Sequence, residues 1–375
     1  MLLSAALIVR DEAHVLDDCL ASIEGVVDEI VLVDTGSQDN SPEIAAAHGA
    51  RVIRHSWRED FAEARNVGLD EAKGEWILYI DADERLIGAE RERVRDMLER
   101  AREIAFRLLL RPDSHSTPYR EHRLWRNDPR IRFVGRIHEK VTPAIAALAR
   151  AERRPVGDSG LLLEHVGYDG DQTHKHRRNL PLLRAQLEHE PDNLFNRHHL
   201  ARVLDGLGES DEALGVLSDA AVLARSRPRD PLGALAFTDL VRARRARGED
   251  VSELLAEART RYPENKLLWW LQAAVLISAR RYEAALALLE RLVSVDRAAL
   301  PDEGSGAAYD ERIFGEFAHE ARGVCLFALG RFEDAADAFE EALREDPHNA
   351  VYRARRELAR ARARRERATA GATIR

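Results

Sequence analysis

The chain is poor in several residue types, and each scarcity excludes a class of protein. Its 375 residues include two cysteines, Cys19 and Cys325, which excludes a disulfide framework or a cysteine-ligated zinc site and favours a reducing compartment. Lysine occurs at four positions and the formal net charge is −9, so the chain has no overall basic field for nucleic acid. No apolar run approaches the length of a membrane-spanning helix, so any membrane contact is peripheral.

The first apolar segment, Leu2 to Val9, is typical of a β-strand rather than a signal peptide. It is only eight residues long, and it lacks a basic start and a cleavage site. The composition, 45% hydrophobic and 33% charged, is that of a globular protein, and the length predicts two or three domains. We therefore expect a soluble, cytoplasmic protein.

Strand and helix signals alternate over residues 1 to about 90. Strands are predicted at Leu2–Val9, Glu29–Val33 and Arg51–Arg54, separated by segments with apolar residues at helical spacing. One helix is expected to begin with Ser41 as its N-cap residue and to close at Gly49. Strands joined by crossover helices imply a parallel sheet.

From about residue 104 to 166 the pattern changes to short strands separated by Pro, Asp and Gly, with no regular crossover helix between them. The candidate strands are Ile104–Leu110, Glu121–Trp125 and Leu161–His165. This predicts a mixed-sheet extension whose loops suit an acceptor pocket. Trp57 and Trp125 either stack on a sugar or a base or fill the core.

An apolar run rich in β-formers ends in Asp81-Ala82-Asp83. In extended backbone, side chains two residues apart point to the same side, so Asp81 and Asp83 would present two carboxylates together. Paired carboxylates suit Mg²⁺ or Mn²⁺, and such a cation can hold a diphosphate. An open α/β sheet binds ligands at the carboxyl ends of its strands, which is where this pair lies. The alternative is that strand-end aspartates begin a turn.

From about residue 172 onward the strand signals disappear and helix pairs recur. The clearest pair carries small and large residues in the order of a tetratricopeptide repeat: Gly323, Leu326, Gly330, Phe332, Ala335, Phe339, Ala342 and Pro347. Two more copies share this frame: Ala201, Leu204, Gly208, Ala213, Leu217 and Ala220, then Trp269, Ala273, Leu276, Tyr282, Ala285 and Leu289. Their spacing predicts a degenerate copy near 231–263 and an inserted loop at 296–311. Stacked pairs form a solenoid with a concave face, and the alternative is a non-repeat helical bundle.

The segment from Arg353 to Arg367 carries eight arginines in a stretch that is compatible with a helix. It is either a solvated capping helix or a surface that touches anionic lipid or an acidic acceptor. Exposed repeat surfaces of this kind also favour a homodimer or a protein partner.

Four segments in the first ninety residues occur in an order and spacing that resembles glycosyltransferase family 2, the inverting enzymes of the GT-A fold. They are Ile8–Glu12, Val33–Asp39, Phe61–Asn66 and Trp76–Glu84. The resemblance continues through Phe133–Glu139 and Glu164–Tyr168. The whole looks like the subgroup that adds helical repeats after the catalytic domain, which includes enzymes related to lipopolysaccharide-core glucosyltransferases and to peptide S-glycosyltransferases.

The resemblance implies an α/β GT-A nucleotide-diphospho-sugar transferase domain with a mixed, mainly parallel sheet over residues 1–170. An all-α tetratricopeptide-like helical repeat domain would follow over 171–368, and a flexible tail over 369–375. The helical repeats would bind the acceptor carrier, order the active site or mediate dimerisation.

The resemblance also implies a donor site, with residues Val9, Glu12, Asp34, Arg65, Asp81 and Asp83. Asp34 would contact the base or ribose, and Arg65 the base or diphosphate. Asp81 would face the ribose and a water on the metal, Asp83 would bind the metal directly, and His165 is either a further metal ligand or a packed strand-end histidine. The family usually has Asn where this chain has Asp11, so no role is carried over to Asp11.

The family mechanism needs a base that deprotonates the acceptor, and Glu139 is the first candidate and His138 the second. The alternatives are a structural hydrogen-bonding role for His138 and an ion pair of Glu139 with Arg136 or Lys140. A thiol acceptor would lower the demand for a base, because a thiol ionises nearer neutral pH.

The resulting hypothesis is a metal-dependent inverting glycosyltransferase that uses Mn²⁺ or Mg²⁺ and a nucleoside-diphosphate sugar, with a UDP-sugar favoured by the resemblance. The acceptor is left open among a saccharide, a lipid carrier, a natural product and a peptide. The competing hypothesis is a non-catalytic repeat scaffold with a degenerate GT-A domain, and the intact Asp34, Arg65, Asp81 and Asp83 weigh against it. A nucleotidyltransferase ranks lower, because no glycine-rich loop follows the first strand.

Overall fold

The computed structural model describes residues 1–166, 172–228, 230–302 and 308–373. The chain divides into two compact units. The first contains Met1–Ser114 and Pro118–Ala213, with the described residues of 301–308. The second contains His115–Thr117, Leu214–Leu300 and Tyr309 onward. Gly167 and Tyr168 of the last motif lie outside the described residues.

In the described part of the chain, eight strands form one sheet in the first unit, in the order β3-β2-β1-β4-β7-β6-β8-β5. The strands are β1 (Leu3–Val9), β2 (Glu29–Asp34), β3 (Arg51–Arg54), β4 (Trp76–Tyr79), β5 (Glu84–Ile87), β6 (Ala105–Arg111), β7 (Tyr119–Arg126) and β8 (Val156–His165). The four strands from β3 to β4 are parallel, and β7 is antiparallel to both of its neighbours. The sheet is completed by β8, which is parallel to β6 and antiparallel to β5. The expectation of a mixed, mainly parallel sheet is confirmed.

Seven helices accompany this sheet in the described first unit. They are α1 (Ala13–Ile23), α2 (Ser41–Ala47), α3 (Phe61–Glu71), α4 (Arg91–Arg100), α5 (Thr142–Glu152), α6 (Thr173–His189) and α7 (Leu194–Gly206). The crossover helices α1, α2 and α3 agree with the sequence periodicity. The unit defined by contacts includes α6 and α7, although the sequence prediction groups them with the repeats.

Two local predictions in this unit are wrong. Ser41 is the first helical residue rather than the N-cap, because its hydroxyl donates to Asp39 Oδ1 at 2.6 Å and the preceding Asn40 takes the cap position. Helix α5 lies where no helix is expected between the short strands; its start combines Thr142 with Pro143, and it buries Ile145 and Leu148. The predicted helix end at Gly49 is confirmed, with φ of +72°.

The sheet buries both of its faces. Alternate residues of each central strand enter different apolar clusters, as the period of two requires. Leu7, Leu32 and Leu78 pack in one cluster with α1 and α4. Their neighbours Ala6, Val31 and Ile77 pack in the other with α3 and α5, where Trp125 is also buried. Trp125 therefore fills the core and is not a sugar-stacking residue.

The second unit is helical in its described part. Its helices are α8 (Ser210–Ser226, from Leu214), α9 (Gly233–Ala246), α10 (Ser252–Arg261), α11 (Lys266–Ser278), α12 (Tyr282–Val293), α13 (Glu316–Ala328), α14 (Phe332–Glu345) and α15 (Ala350–Thr373). Helices α9 and α10 form the predicted degenerate pair. The inserted segment after α12 contains two short 3₁₀ helices, Arg297–Asp302 and Glu311–Phe314.

The arginine-rich segment forms α15, which packs along the last repeat. Arg356 and Arg360 donate to Glu340 of α14 at 2.8 and 3.0 Å, and Arg355 pairs with Glu320 of α13. These contacts make α15 a capping helix. Helix α15 extends through Thr373, so it includes residues 369–373 of the tail that the sequence analysis expects to be flexible. None of the helices in the described ranges has the length and apolar content that a bilayer crossing requires.

Gly323 sits where α13 and α14 approach closely, and we predict that Gly323→Ala destabilises the second unit by about 1–2 kcal/mol. A Cβ there would lie 2.5 Å from the Phe339 ring, and this overpacking outweighs the gain of about 1 kcal/mol in helix propensity. Gly215→Ala on α8 is the matched control, since its Cβ would meet nothing within 4 Å. It should stabilise by about 0.5–1 kcal/mol. Urea unfolding measures both, and equal effects of the same sign would contradict the packing argument.

Candidate functional site

The parallel strands β1, β2 and β4 bring their carboxyl ends to one edge of the sheet. Val9 and Asp34 are register partners at the ends of β1 and β2. The Val9 carbonyl accepts hydrogen bonds from the Thr35 backbone N–H at 2.9 Å and the Thr35 hydroxyl at 3.1 Å. The buried Asp34 carboxylate accepts one from the Ser37 N–H at 3.0 Å. Val9 and Asp34 are therefore held together at this edge.

The backbone from Asp81 to Glu84 is a turn, so the expectation of extended backbone through Asp83 is wrong. Strand β4 ends at Tyr79, and the Glu84 N–H donates to the Asp81 carbonyl at 3.0 Å. The strand-end aspartates thus begin a turn, which is the alternative that the sequence left open. As a result, the two carboxylates have separate sets of partners.

The Asp81 carboxylate is fixed by a group of buried side chains. Its Oδ1 accepts from Arg65 Nη2 at 2.8 Å, and its Oδ2 accepts from the Tyr79 hydroxyl at 3.0 Å. Arg123 Nη1 lies 3.6 Å from the same Oδ2. The Tyr79 ring lies between the two guanidiniums, whose carbons are 4.3 and 4.2 Å from its centroid. Cation–π contact adds to the ion pairs in holding both arginines.

These contacts determine the charge on Asp81. Burial raises the pKa of its carboxyl, but the charges of Arg65 and Arg123 and the hydrogen bonds from Arg65 and Tyr79 outweigh burial and lower the pKa to about 2. Burial disfavours the charged form of Arg65, yet Asp81, Tyr79 and Glu139 raise its pKa above the usual range. Both partners are therefore ionised at neutral pH.

Arg65 also joins this network to the first base candidate. Its Nε donates to Glu139 Oε1, and both side chains are largely buried. The alternative of a pair with Arg136 or Lys140 is wrong, since the partner is Arg65 on helix α3. One guanidinium therefore bridges Asp81 at the end of β4 and Glu139 in the segment before α5.

Glu84 and Arg123 form a second buried pair that the sequence analysis missed. Arg123 Nη1 and Nη2 donate to the two Glu84 oxygens at 3.1 and 2.8 Å, and Glu84 Oε2 also accepts from the Asp81 N–H at 2.9 Å. Burial raises the pKa of the Glu84 carboxyl to about 8, although the charge of Arg123 opposes the shift. The sequence does contain a signal for this pair, the glutamate that directly follows Asp81-Ala82-Asp83. Once the turn is buried, a charged residue at that position needs a partner.

The segment from Phe133 to Glu139 is held by α3 and α6. Asn66 of α3 exchanges two hydrogen bonds with the Phe133 backbone, at 3.0 and 2.9 Å. The Arg136 N–H donates to Gln186 Oε1 on α6 at 3.0 Å, and the Arg136 carbonyl accepts from the Phe61 N–H at 2.9 Å. Gln186 is buried and was missed, because its partner is far away in sequence.

His138 is packed rather than exposed to an acceptor. Its backbone adopts φ of +52°, and its ring centroid lies 3.9 Å from that of His199 and 5.3 Å from that of Phe195 on α7. Burial and the neighbouring Lys140 lower the pKa of His138 to about 4. Burial, together with His138, also lowers the pKa of His199. This geometry favours a structural role for His138.

Asp83 and His165 come together at the other side of the turn. His165 Nε2 lies 3.1 Å from Asp83 Oδ2, and Lys175 Nζ on α6 lies 3.8 Å from the same oxygen. Burial raises the pKa of the Glu12 carboxyl, and the nearby negative charge of Asp83 raises it further. Of the expected metal ligands, Asp83 and His165 form a pair, whereas Asp81 belongs to the Arg65 network.

This pair fits a cation whose coordination is completed by a ligand. Two atoms 3.1 Å apart can both bind one ion at about 2.1 Å, and Mg²⁺ commonly uses one or two protein ligands with phosphate oxygens and waters. Over the described residues, no group of three His, Cys, Asp or Glu side chains could enclose a metal. A cation at this site would therefore have few protein ligands, and its other coordination positions would be open to phosphate oxygens and waters.

A cavity of about 510 Å³ lies elsewhere, next to Leu2, Asp28 and Glu75. These residues precede β1, β2 and β4, so the cavity is at the amino-terminal edge of the strands. It contains none of the candidate residues, and ligands of open α/β sheets bind at the opposite edge.

Comparisons with known proteins agree with the fold. Residues 4–154 match the family model described as glycosyl transferase family 2, and residues 316–349 match that of the tetratricopeptide repeat. A TPR repeat-containing protein of Synechococcus elongatus is 40% identical over 174 residues, which cover 45% of this chain and 43% of that protein. Both matches agree with the resemblance to glycosyltransferase family 2 followed by tetratricopeptide-like repeats.

Two further relatives carry glycosyltransferase names. The SPbeta prophage-derived glycosyltransferase SunS of Bacillus subtilis is 26% identical over 231 residues, covering 57% of this chain and 52% of that protein. The lipopolysaccharide core biosynthesis glycosyltransferase LpsC of Rhizobium meliloti is 31% identical over 156 residues, covering 38% and 57%. The chain spans about half the length of the curated relatives it matches.

The buried pair of Glu84 and Arg123 predicts a strong energetic coupling. Arg123→Met should destabilise the first unit by about 1–3 kcal/mol, because it leaves the buried Glu84 carboxyl without its two guanidinium hydrogen-bond donors. Adding Glu84→Gln should recover part of that loss, so a double-mutant cycle from urea unfolding should give a coupling above about 1 kcal/mol. Strictly additive single effects would show that the two side chains do not interact.

The packed histidines predict that acid destabilises the first unit. The unfolded chain takes up a proton at His138 near the ordinary histidine pKa of 6.5, but the folded chain does so only near pH 4. Stability should therefore fall as pH drops from about 6.5 towards 4, by up to about 3 kcal/mol for this residue. His138→Asn, which tolerates the left-handed backbone, should flatten the urea-unfolding profile against pH. The exposed His189→Asn should keep the wild-type slope; identical profiles for all three proteins would refute the assignment.

Proposed function

We propose that the first unit is a metal-dependent inverting glycosyltransferase that moves a sugar from a nucleoside diphosphate, with UDP as the favoured nucleotide. The observation that carries the proposal is the convergence of Asp34, Asp81 and Asp83 with Arg65 at the carboxyl edge of the parallel strands. A family 2 domain over residues 4–154 supports it.

The donor end of this site uses groups that are already ordered. Asp34 lies beside Val9 and would accept hydrogen bonds from the base or ribose. Asp81 would face the ribose. The hydrogen bonds from Arg65 and Tyr79 keep its carboxylate ionised and hold it in one orientation. Arg65 thus acts mainly by positioning Asp81 and Glu139, because its guanidinium is committed to both.

Asp83 and His165 would hold Mn²⁺ or Mg²⁺ at the other side of the turn. When bound, such a cation neutralises negative charge on the departing nucleoside diphosphate. Glu12 extends the polar surface beside Asp83. The raised pKa of Glu12 means that a positive charge nearby would help to keep its carboxyl ionised.

Glu139 is the proposed base. In an inverting displacement the acceptor oxygen or sulfur attacks the anomeric carbon, the bond to the phosphate oxygen breaks, and the acceptor proton passes to the base. The pairing with Arg65 fixes the orientation of the Glu139 carboxylate. His138 ranks second, since it packs against His199.

The acceptor class stays open among saccharides, lipid carriers, natural products and peptides. The names of SunS and LpsC support glycosyl transfer, and the name of LpsC places that enzyme in lipopolysaccharide core biosynthesis. We propose that the helical repeats recruit the acceptor carrier or a second copy of the chain, as stacked repeats present extended surfaces. We also infer that the reaction takes place in the cytoplasm, because both cysteines are free and thiols stay reduced there.

A test compares donor consumption by purified wild type and two site variants. The wild type should release UDP slowly from a UDP-sugar in Mn²⁺, with water as the acceptor. Asp83→Asn should lower this rate by about 100-fold, and Glu139→Gln should lower transfer to a true acceptor by about 100-fold or more. Asp96→Asn, on the exposed face of α4, is the charge-matched control and should match the wild type.

The scaffold hypothesis makes the opposite prediction. A folded protein that neither consumes nor binds UDP- or GDP-sugars, with or without Mn²⁺, would rule out the enzyme. Partners of the helical repeats would then become the search target.

A further inference from the structure

Helix α15 uses one side to cap the repeats. Tyr352 and Ala359 are buried, and their spacing of seven residues places them on one face of the helix. Arg356 and Arg360 lie beside that face and donate to Glu340 of α14 at 2.8 and 3.0 Å. These contacts hold the helix in place, and a different side of it faces solvent.

The solvent side of α15 carries a stripe of apolar and basic residues, which consists of Val351, Leu358, Arg362 and Arg365. These positions are separated by seven, four and three residues, so they follow one line along the helix surface. Val351 is 55% and Leu358 51% exposed, and both arginines are exposed as well. At a rise of 1.5 Å per residue, the stripe is about 21 Å long.

The arginines of the stripe differ from those on the capping side in their partners. Arg356, Arg360 and Arg367 each pair with a glutamate of α14. Within the described ranges, Arg362 and Arg365 have no such pair. The helix contains eight arginines and two glutamates, although the whole chain has a formal net charge of −9. Positive charge is therefore concentrated on α15, and part of it is not neutralised by the fold.

Aliphatic side chains beside unpaired arginines fit an anionic lipid surface. Lipid phosphates attract the arginines, and the boundary between head groups and acyl chains takes up the aliphatic groups. A second copy of the chain is a poor occupant, because a two-fold contact through the stripe would set Arg362 and Arg365 against their own counterparts. An acidic protein would match the arginines, but it would place Val351 and Leu358 against charged groups.

We propose that the stripe of α15 docks the protein onto an anionic lipid surface. This inference goes beyond the proposed glycosyl transfer and involves none of the donor-site residues. It also joins the two interpretations that the sequence left open for this segment, since one side of the helix caps the repeats and another contacts lipid. The competing explanation is that the stripe is a solvated helix surface without a partner.

Cosedimentation of the full chain with vesicles tests the proposal. We would compare vesicles of phosphatidylcholine with vesicles that also contain phosphatidylglycerol, at low and high salt. The wild type should bind the anionic vesicles alone, and more weakly at high salt. Removing both charges of the stripe by Arg362→Gln with Arg365→Gln should weaken binding by about tenfold or more. The matched control is Arg242→Gln with Arg245→Gln, two exposed arginines three residues apart on α9, and it should bind as the wild type does.

Leu358→Ser separates a lipid from a soluble acidic partner. It keeps every charge, so it should weaken binding to anionic vesicles by about three- to tenfold and leave binding to polyglutamate, measured by calorimetry, unchanged. Val222→Ser on α8 is the matched control, because Val222 is an equally accessible aliphatic residue, 62% exposed, and lies outside the stripe. It should bind vesicles as the wild type does. Circular dichroism checks that each variant keeps its helical content.

Three outcomes would overturn the inference. The first is a folded wild type that binds neither kind of vesicle, and the second is equal binding by the stripe and α9 arginine variants. The third is unchanged vesicle binding by Leu358→Ser, which would mean that charge alone is recognised and would make an acidic macromolecule the better partner. None of these results bears on the proposed glycosyl transfer, because donor consumption is measured with soluble substrates.

Discussion

The buried guanidinium of Arg65 is the interaction on which the candidate site depends. A charge removed from water must be paired, and Arg65 takes its partners from two distant segments, Asp81 after β4 and Glu139 before α5. The Tyr79 ring then links Arg65 to Arg123, and Arg123 to Glu84. These contacts connect the turn from Asp81 to Glu84 with the base candidate Glu139.

The helices α6 and α7 complete this arrangement within the first unit. Gln186 receives the Arg136 N–H, and His199 and Phe195 cover His138, so the segment that carries Glu139 has packed support on both sides. At its other end, α6 brings Lys175 to Asp83. The first helices after the sheet therefore shape the site as well as beginning the helical region, and changes to their buried face should affect the sheet edge.

Much of the fold could be predicted from the sequence because its signals are local. Periodicity located the parallel strands and their crossover helices, and the order of small residues located the repeat pairs. The helix α5 was missed, because a short segment with many alanines and charges gives a weak periodic signal between strands. The turn after Asp81 was one of two alternatives, because the residues that form it are equally compatible with an extended strand end; the hydrogen bond from the Glu84 N–H to the Asp81 carbonyl closes the turn in the structure.

The partners within the site could not be predicted from local patterns. The resemblance identified Arg65, Asp81 and Glu139 individually, but Arg65 and Glu139 are 74 positions apart and Glu84 and Arg123 are 39 apart. Such pairs follow only from strand order and from the need to neutralise buried charge. For the same reason Asp81 pairs with Arg65 while Asp83 pairs with His165. The spacing of an Asp-x-Asp motif does not predict that its two carboxylates have different partners.

The most direct test of the central claim is a crystal structure of the protein with UDP and Mn²⁺, with the metal located by anomalous scattering. The account predicts a manganese peak within bonding distance of Asp83 and His165, with the nucleotide at the carboxyl edge of β1 and β2 near Asp34. It also predicts that Arg65 still bridges Asp81 and Glu139. A nucleotide bound away from this edge, or a metal held by Asp81 after the Arg65 contact breaks, would contradict it.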